Sequence, residues 1–263
     1  MYGSNKQTNN INSKYFTVRV KPTLLAAKQH LGAYADGDVI FDWTEFKLSN
    51  GAHRLIGCTA VVRGNDGAAQ DCPMDLMFAT QTQGHGGVAA GAAPQSIGTQ
   101  QAASIPTANP YYNDLIGGMK LQAADYGEQV QTSIAYAEGV RGAECPILFE
   151  SYGNTVPSDG NYTFYVTATA NSAAPNFDSN TAVANVYGAA SASIITLDGT
   201  SALTTLAPGD VVRAQDEAIM GTVSTVDSAT QITLTAANTA AIADGDVVYR
   251  LSPITLIFTF ERY

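Results

Sequence analysis

The chain has 263 residues, enough for one large β domain or two smaller ones and for a core that needs no disulfides. Only 14% of its residues are charged, against about 25% in an ordinary soluble domain, and 23 acidic side chains outweigh 13 basic ones for a net charge of −10. No Lys/Arg cluster interrupts that excess, which excludes nucleic-acid binding by counterion displacement. Cys58, Cys72 and Cys145 are too few and too widely spaced for a disulfide framework or a zinc site.

Residues 1–14, "MYGSNKQTNNINSK", are polar and lack the apolar run of a secretory signal. They read as an N-terminal arm. No stretch reaches 18 apolar residues, so no membrane-spanning helix is expected, and the chain is expected to be made in a cytoplasm and to stay soluble. "YFTVRVKP" (15–22) alternates Phe16, Val18 and Val20 as a strand. "TLLAAKQHLGAYA" (23–35) follows Pro22 with Leu24, Ala27 and Leu31 at helical spacing, which predicts about three turns ending at Gly32. Residues 38–64 read as a long hairpin turning at Asn50-Gly51. "PMDLMFATQ" (73–81) is the next strand.

Residues 82–110 are rich in Gly, Ala and Gln without periodicity. A loop of that length in a compact domain points to function or to an interaction arm. Strands are expected again at 111–121, 127–139, 145–153 and 160–170. The last strand, "SPITLIFTFERY", alternates Ile254, Leu256, Phe258 and Phe260 with polar or smaller partners, a pattern expected inside a sheet. Strands 160–170 and 254–262 look like matched core strands.

Between them, residues 188–252 have a different texture: short, closely spaced strands and almost no aromatics. The expected architecture is therefore all-β. A β-sandwich or jelly-roll-like main domain (15–187 and 253–263) would carry an inserted, small SH3-like β-barrel (188–252).

Catalytic signatures are missing. His30, His53 and His85 lack a motif that would supply a nucleophile and an orienting acid, and neither G-x-S-x-G nor H-E-x-x-H occurs. No enzyme activity and no cofactor is expected. The repeated "ADGDVIF" (35–41) and "ADGDVVY" (243–249) invite comparison with a calcium loop, with Asp36, Asp38, Asp244 and Asp246 as ligands. Both copies lack the third acid and the bidentate Glu at position 12: Ile40 and Val248 stand at the first place, Lys47 and Thr255 at the second. An Asp-Gly turn feeding a β-branched strand explains them better.

The Thr/Ala-rich stretch from Ile195 to Arg250, "ITLDGTSALTTLAPGDVVRAQDEAIMGTVSTVDSATQITL…ADGDVVYR", resembles modules of tailed-bacteriophage virion structural proteins. This resemblance implies a virion protein, made in a host cytoplasm and ending in the virion, with cement or decoration proteins that clamp neighbouring capsid subunits on the outer surface as the expected role. A tail or fibre component that binds host glycans is the alternative. The partners implied are the major capsid protein and further copies of this chain, as a homo-oligomer within a particle, with no nucleic acid and no membrane. Candidate contact residues lie in the N-terminal arm (Tyr2, Asn9, Asn10, Ile11) and in the long loop and its end (Val88, Ile97, Ile105, Tyr111, Tyr112).

Overall fold

A computed structural model describes residues 14–64, 69–84, 88–103, 113–131, 134–140, 147–150, 158–172, 175–179, 181–199 and 202–263, with backbone alone for 128–131, 134–140 and 204. The described chain is almost wholly β, and every pair of named strands is antiparallel. The first sheet runs β1 (Tyr15–Val20), β15 (Ile254–Arg262), β3 (His53–Arg63), β7 (Ile134–Val140), β6 (Tyr126–Gln131). A short β8 (Ile147–Phe149) pairs with β3 beside β7. The second sheet runs β2 (Val39–Ser49), β9 (Asn161–Ala170), β4 (Met74–Thr80), β5 (Leu115–Leu121).

These two sheets face each other across a core of interlocked phenylalanines. Phe46 and Phe78 of the second sheet lie 5.6 and 5.3 Å, ring to ring, from Phe258 of the first. Phe149 meets Phe164 and Phe260 edge-on, each at 5.2 Å. Such edge-to-face pairs add about 0.5–1.5 kcal/mol each beyond the burial of their area.

One expectation about pairing is corrected here. Residues 38–64 do not form a hairpin: β2 pairs with β9, while β3 pairs with β15, β7 and β8. Asn50-Gly51 instead carries the chain from one sheet to the other, with Gly51 at φ +122° and Asn50 N donating to Gly160 O. β9 and β15, expected as matched core strands, are core strands of opposing sheets. Period-2 alternation says which way side chains point, and strands that face each other across a core show the same pattern as strands side by side.

The helix expected over 23–35 shrinks to the single turn Ala26–Gln29. Leu24 and Ala26 are buried, but Leu31 is 64% exposed. Gln29 takes the inward place, donating to Leu24 O and Arg250 O. Tertiary hydrogen bonding therefore overrides the apolar spacing.

The inserted unit is a third sheet: β10 (Ile194–Thr196), β13 (Gln231–Leu234), β12 (Ile219–Ser228), β11 (Val211–Ala214), β14 (Val248–Arg250). It is not the expected closed barrel. Its two edges are joined through residues 182–183 by isolated bridges, Val183 to Leu197 and Ala182 to Val247, rather than by a continuous ladder. The core of the insert is aliphatic, built on Val212, Met220, Val223, Ile232, Leu234 and Val248, and includes Val183. The unit thus begins near residue 181, upstream of the expected boundary at 188.

Candidate functional site

Three places concentrate polar side chains or unusual geometry: the Asp-Gly turns, the junction between sandwich and insert, and the outer faces of the sandwich.

The Asp-Gly turns prove to be one device used three times. In Ala35–Asp38, Ala207–Asp210 and Ala243–Asp246 the third residue is a glycine at φ +82°, +90° and +84°. The Asp N–H donates back to the Ala carbonyl, at 3.1, 3.1 and 3.3 Å. The Asp Oδ2 accepts the Ala N–H, at 2.7, 2.8 and 2.7 Å. Each turn then docks on one distant residue, Ala170, Val223 or Val183. That residue's carbonyl accepts the Gly N–H, and its N–H donates to the Asp carbonyl. Five of the turn's backbone groups are therefore satisfied in the same way each time, and only glycine takes the left-handed position without strain.

This accounts for the four suspected calcium ligands. One oxygen each of Asp38 and Asp246 closes its own turn, and Asp36 accepts from Ser172 N at 2.9 Å. Asp244 stands where the sister turn has Pro208, so the turn requires no side chain there. Among the described residues no group of three or more His, Cys, Asp or Glu side chains could hold a metal ion.

The middle turn has a second task. Asp210 accepts from Arg63 of β3 at 2.9 and 3.2 Å, and its Oδ2 lies 3.3 Å from Nε of Arg250 on β14. The Arg250 side chain is 1% exposed, and its guanidinium donates to the carbonyls of Arg63 and Gly64 at the end of the first sheet. Burial lowers the Arg250 pKa to about 9, the Arg63 charge adds to that, and Asp210 opposes it. Two guanidinium groups thus share one carboxylate where the insert meets the sandwich. Leu24 N donates to Leu251 O across the same junction.

A second polar chain lies nearby. The Tyr249 hydroxyl donates to Asp178 and lies 2.7 Å from His30 Nδ1. Having given its single proton to Asp178, the hydroxyl can only accept from a protonated His30 Nδ1. Glu217, in a left-handed conformation at φ +70°, accepts Ala27 N and the Arg213 guanidinium. An open cleft of about 950 Å³ runs along the junction between Lys21, Glu45, Asp210 and Arg213. Asp210, Arg63, Arg250 and Glu217 tie the insert to the sandwich, while Lys21 and Glu45 line the cleft.

His53 occupies the opposite end of the sandwich, buried at the start of β3 with 1% exposure. Its Nε2 donates to Ser49 O at 2.8 Å, while Nδ1 has no partner and Phe16 meets the ring edge-on at 5.2 Å. Burial lowers its pKa, the Ser49 bond opposes that, and Arg262 adds to the lowering. Burial also pushes up the thiols of Cys58 and Cys72, which keeps both protonated and unreactive.

The outer faces differ. On the second sheet part of the outward surface is covered by the chain itself, while Glu45, Lys47 and Lys120 stay exposed. Trp43 Nε1 donates to Gln95 O, Ile97 N donates to Asp42, and Gln101 N donates to Val39 O. Val39, Ala79, Ile97 and Tyr165 are buried there without belonging to the inter-sheet core. The long loop, where described, is therefore a cover and not a projecting arm. Ile97, expected at a partner contact, is 2% exposed inside the fold, and Val88 is half-buried. Tyr2, Asn9, Asn10, Ile11, Ile105, Tyr111, Tyr112 and His85 lie outside the described residues.

Among the described residues the first sheet carries no such cover. Tyr15, Thr17 and Arg19 of β1 are exposed, and Thr255, Ile257 and Thr259 of β15 are half-buried. At its rim Lys14 and Arg54 both pair with Glu261, and Arg54 lies under the exposed ring of Tyr263. Sequence reasoning missed this surface because its residues are the ordinary outward half of good strands.

No helix of the described residues is long and apolar enough to cross a membrane. Compared with family models, with curated proteins and with solved structures, the chain matches none.

Proposed function

We propose that this chain is a structural subunit of a virus particle, a cement or decoration protein that clamps neighbouring capsid subunits on the outer surface. The observation that supports it is the unequal finish of the sandwich among the described residues: one outer face is partly covered by the chain's own segments and the other is left as an open strand surface. A flat face rich in Thr, Ile and Val offers area without deep pockets, which suits packing against another protein. The sparse charge of the chain gives it little protection against association, and many copies on a lattice let weak contacts add up. The insert, fixed by a buried arginine, supplies a second rigid surface at a set angle.

Copy counting and electron-microscopic localisation on assembled particles test this reading. Hundreds of copies spread over the capsid surface are expected. A few copies at the tail would replace it with a tail or fibre role.

A further inference from the structure

The bare face of the first sheet and the outside of the insert carry opposite charge. Five of the chain's 13 basic residues, Lys14, Arg19, Lys21, Arg54 and Arg63, lie on or beside that sheet. Register places Arg19 opposite Ile257, and Ile257 opposite Thr59, so an uncharged centre of Ile257, Thr259 and Thr59 has a basic border. Glu261 lies on the same border, Glu150 follows β8 on the outward side, Glu138 stands opposite Thr59 in register, and Asp210 already takes Arg63. The five basic groups outnumber these four acids by one.

The insert reverses this. Residues 181–251 hold seven acids and two arginines, a net charge of −5 in a chain of −10. Both arginines, Arg213 and Arg250, are turned to the junction or paired with Glu217. Asp198, Asp216, Asp227, Asp244 and Asp246 are left, and among the described residues none of them is in an ion pair. Three of the five gather at one end: Asp198 N donates to Ala182 O and Val183 N donates to Asp246 O, so residues 182–183 run between Asp198 and the Asp244–Asp246 turn. That separation is about two strand spacings, or 10 Å.

We infer that the basic face of the first sheet binds the acidic insert of a second copy of this chain, head to tail. The same pairing already exists within one chain, where Asp210 of the insert takes Arg63 of the face at 2.9 Å. Two different surfaces make the contact, so it is heterologous and generates rings or chains rather than a closed dimer. A face about 30 Å long and 15 Å across offers roughly 450 Å², about half of the ~800 Å² per partner of a stable stand-alone complex. The contact is therefore weak in isolation and governed by charge, and it gains strength only through repetition on a lattice. This goes beyond the cement reading and does not need it, because it names the copy-to-copy contact and is tested on the purified chain alone.

Sedimentation velocity of the full chain is the test. At about 50 mM salt the wild type is expected to form concentration-dependent oligomers, and at about 500 mM the dissociation constant should weaken at least tenfold as screening shortens to a few ångströms. Arg19→Glu and Asp244→Lys, both at exposed positions, should each weaken association about tenfold with an unchanged melting temperature. Mixing the two variants should restore it, since each reversed surface then meets an opposite charge. A wild type that stays monomeric at low salt, or variants that associate like the wild type, would overturn the inference. So would a mixture no better than its components. None of these outcomes bears on binding to a capsid, which is assayed separately.

Discussion

The two sheets of the sandwich share one phenylalanine core but are finished differently on the outside. The second sheet is partly closed by residues 88–103, which bury Val39, Ile97 and Tyr165 in an outer layer, while Glu45, Lys47 and Lys120 stay exposed. Among the described residues the first sheet has no outer layer, and its outward residues include Thr, Ile and Arg. A segment laid over one face, with none described over the other, gives the faces different work. One stabilises the monomer, and the other is free to meet a neighbour. The insert sharpens that contrast because it is fixed to the end of the uncovered sheet through Arg63.

The largest expected effect concerns how firmly the insert is held. Asp210 and Asp246 close the same kind of turn, but only Asp210 also neutralises two guanidinium groups. Asp210→Ala should cost about 3–5 kcal/mol, because it leaves buried Arg250 without its carboxylate. Asp246→Ala should cost about 1 kcal/mol, the usual worth of a lost hydrogen bond. Denaturant unfolding distinguishes them, and equal losses would mean that the junction charge holds nothing.

A smaller pair of substitutions tests the faces directly. Ile97→Ala, under the cover of the second sheet, should cost about 2–4 kcal/mol as a buried truncation. Ile257→Ala, on the open face, should cost about 1 kcal/mol or less. If the two lose equally, the first sheet has a cover of its own and the contrast fails.

The smallest effect is a pH dependence at the arch between the sheets. His53 is held neutral by burial, so its folded pKa lies below the ordinary value of about 6.5. The fold is fully supported above that value. Stability falls as the pH drops through about 6.5, where the unfolded chain takes up the proton, and levels off below the folded pKa. Melting temperatures between pH 7.5 and 5 should fall more for the wild type than for His53→Gln, whose amide can still donate to Ser49 O.

Much of the architecture could be read from alternation and composition. The final strand was legible because Ile254, Leu256, Phe258 and Phe260 keep strict period, and the insert because aromatics vanish from it. Strand partners were not legible: Asn50-Gly51 is as good an arch as a hairpin when both flanking strands look inward. The closed barrel failed because residues 182–183 join the edges only by isolated bridges. The triple turn was half legible. "ADGD", "APGD" and "ADGD" share their first alanine, whose N–H the Asp carboxylate takes, but the docking residues Ala170 and Val183 are far away in sequence. Arg250 was hidden as the last residue of an ordinary β-branched run, and nothing local signals that its guanidinium is buried. The uncovered face carries no motif, since it is defined by what fails to pack on it.

Zero-length carboxylate-to-amine cross-linking of a mixture of isotopically light and heavy chains at low salt tests the head-to-tail contact most directly. The account predicts light-to-heavy links joining Lys14 or Lys21 to Asp198, Asp244 or Asp246, and their loss at high salt. Links confined within single chains, or intermolecular links that avoid the insert, would contradict it.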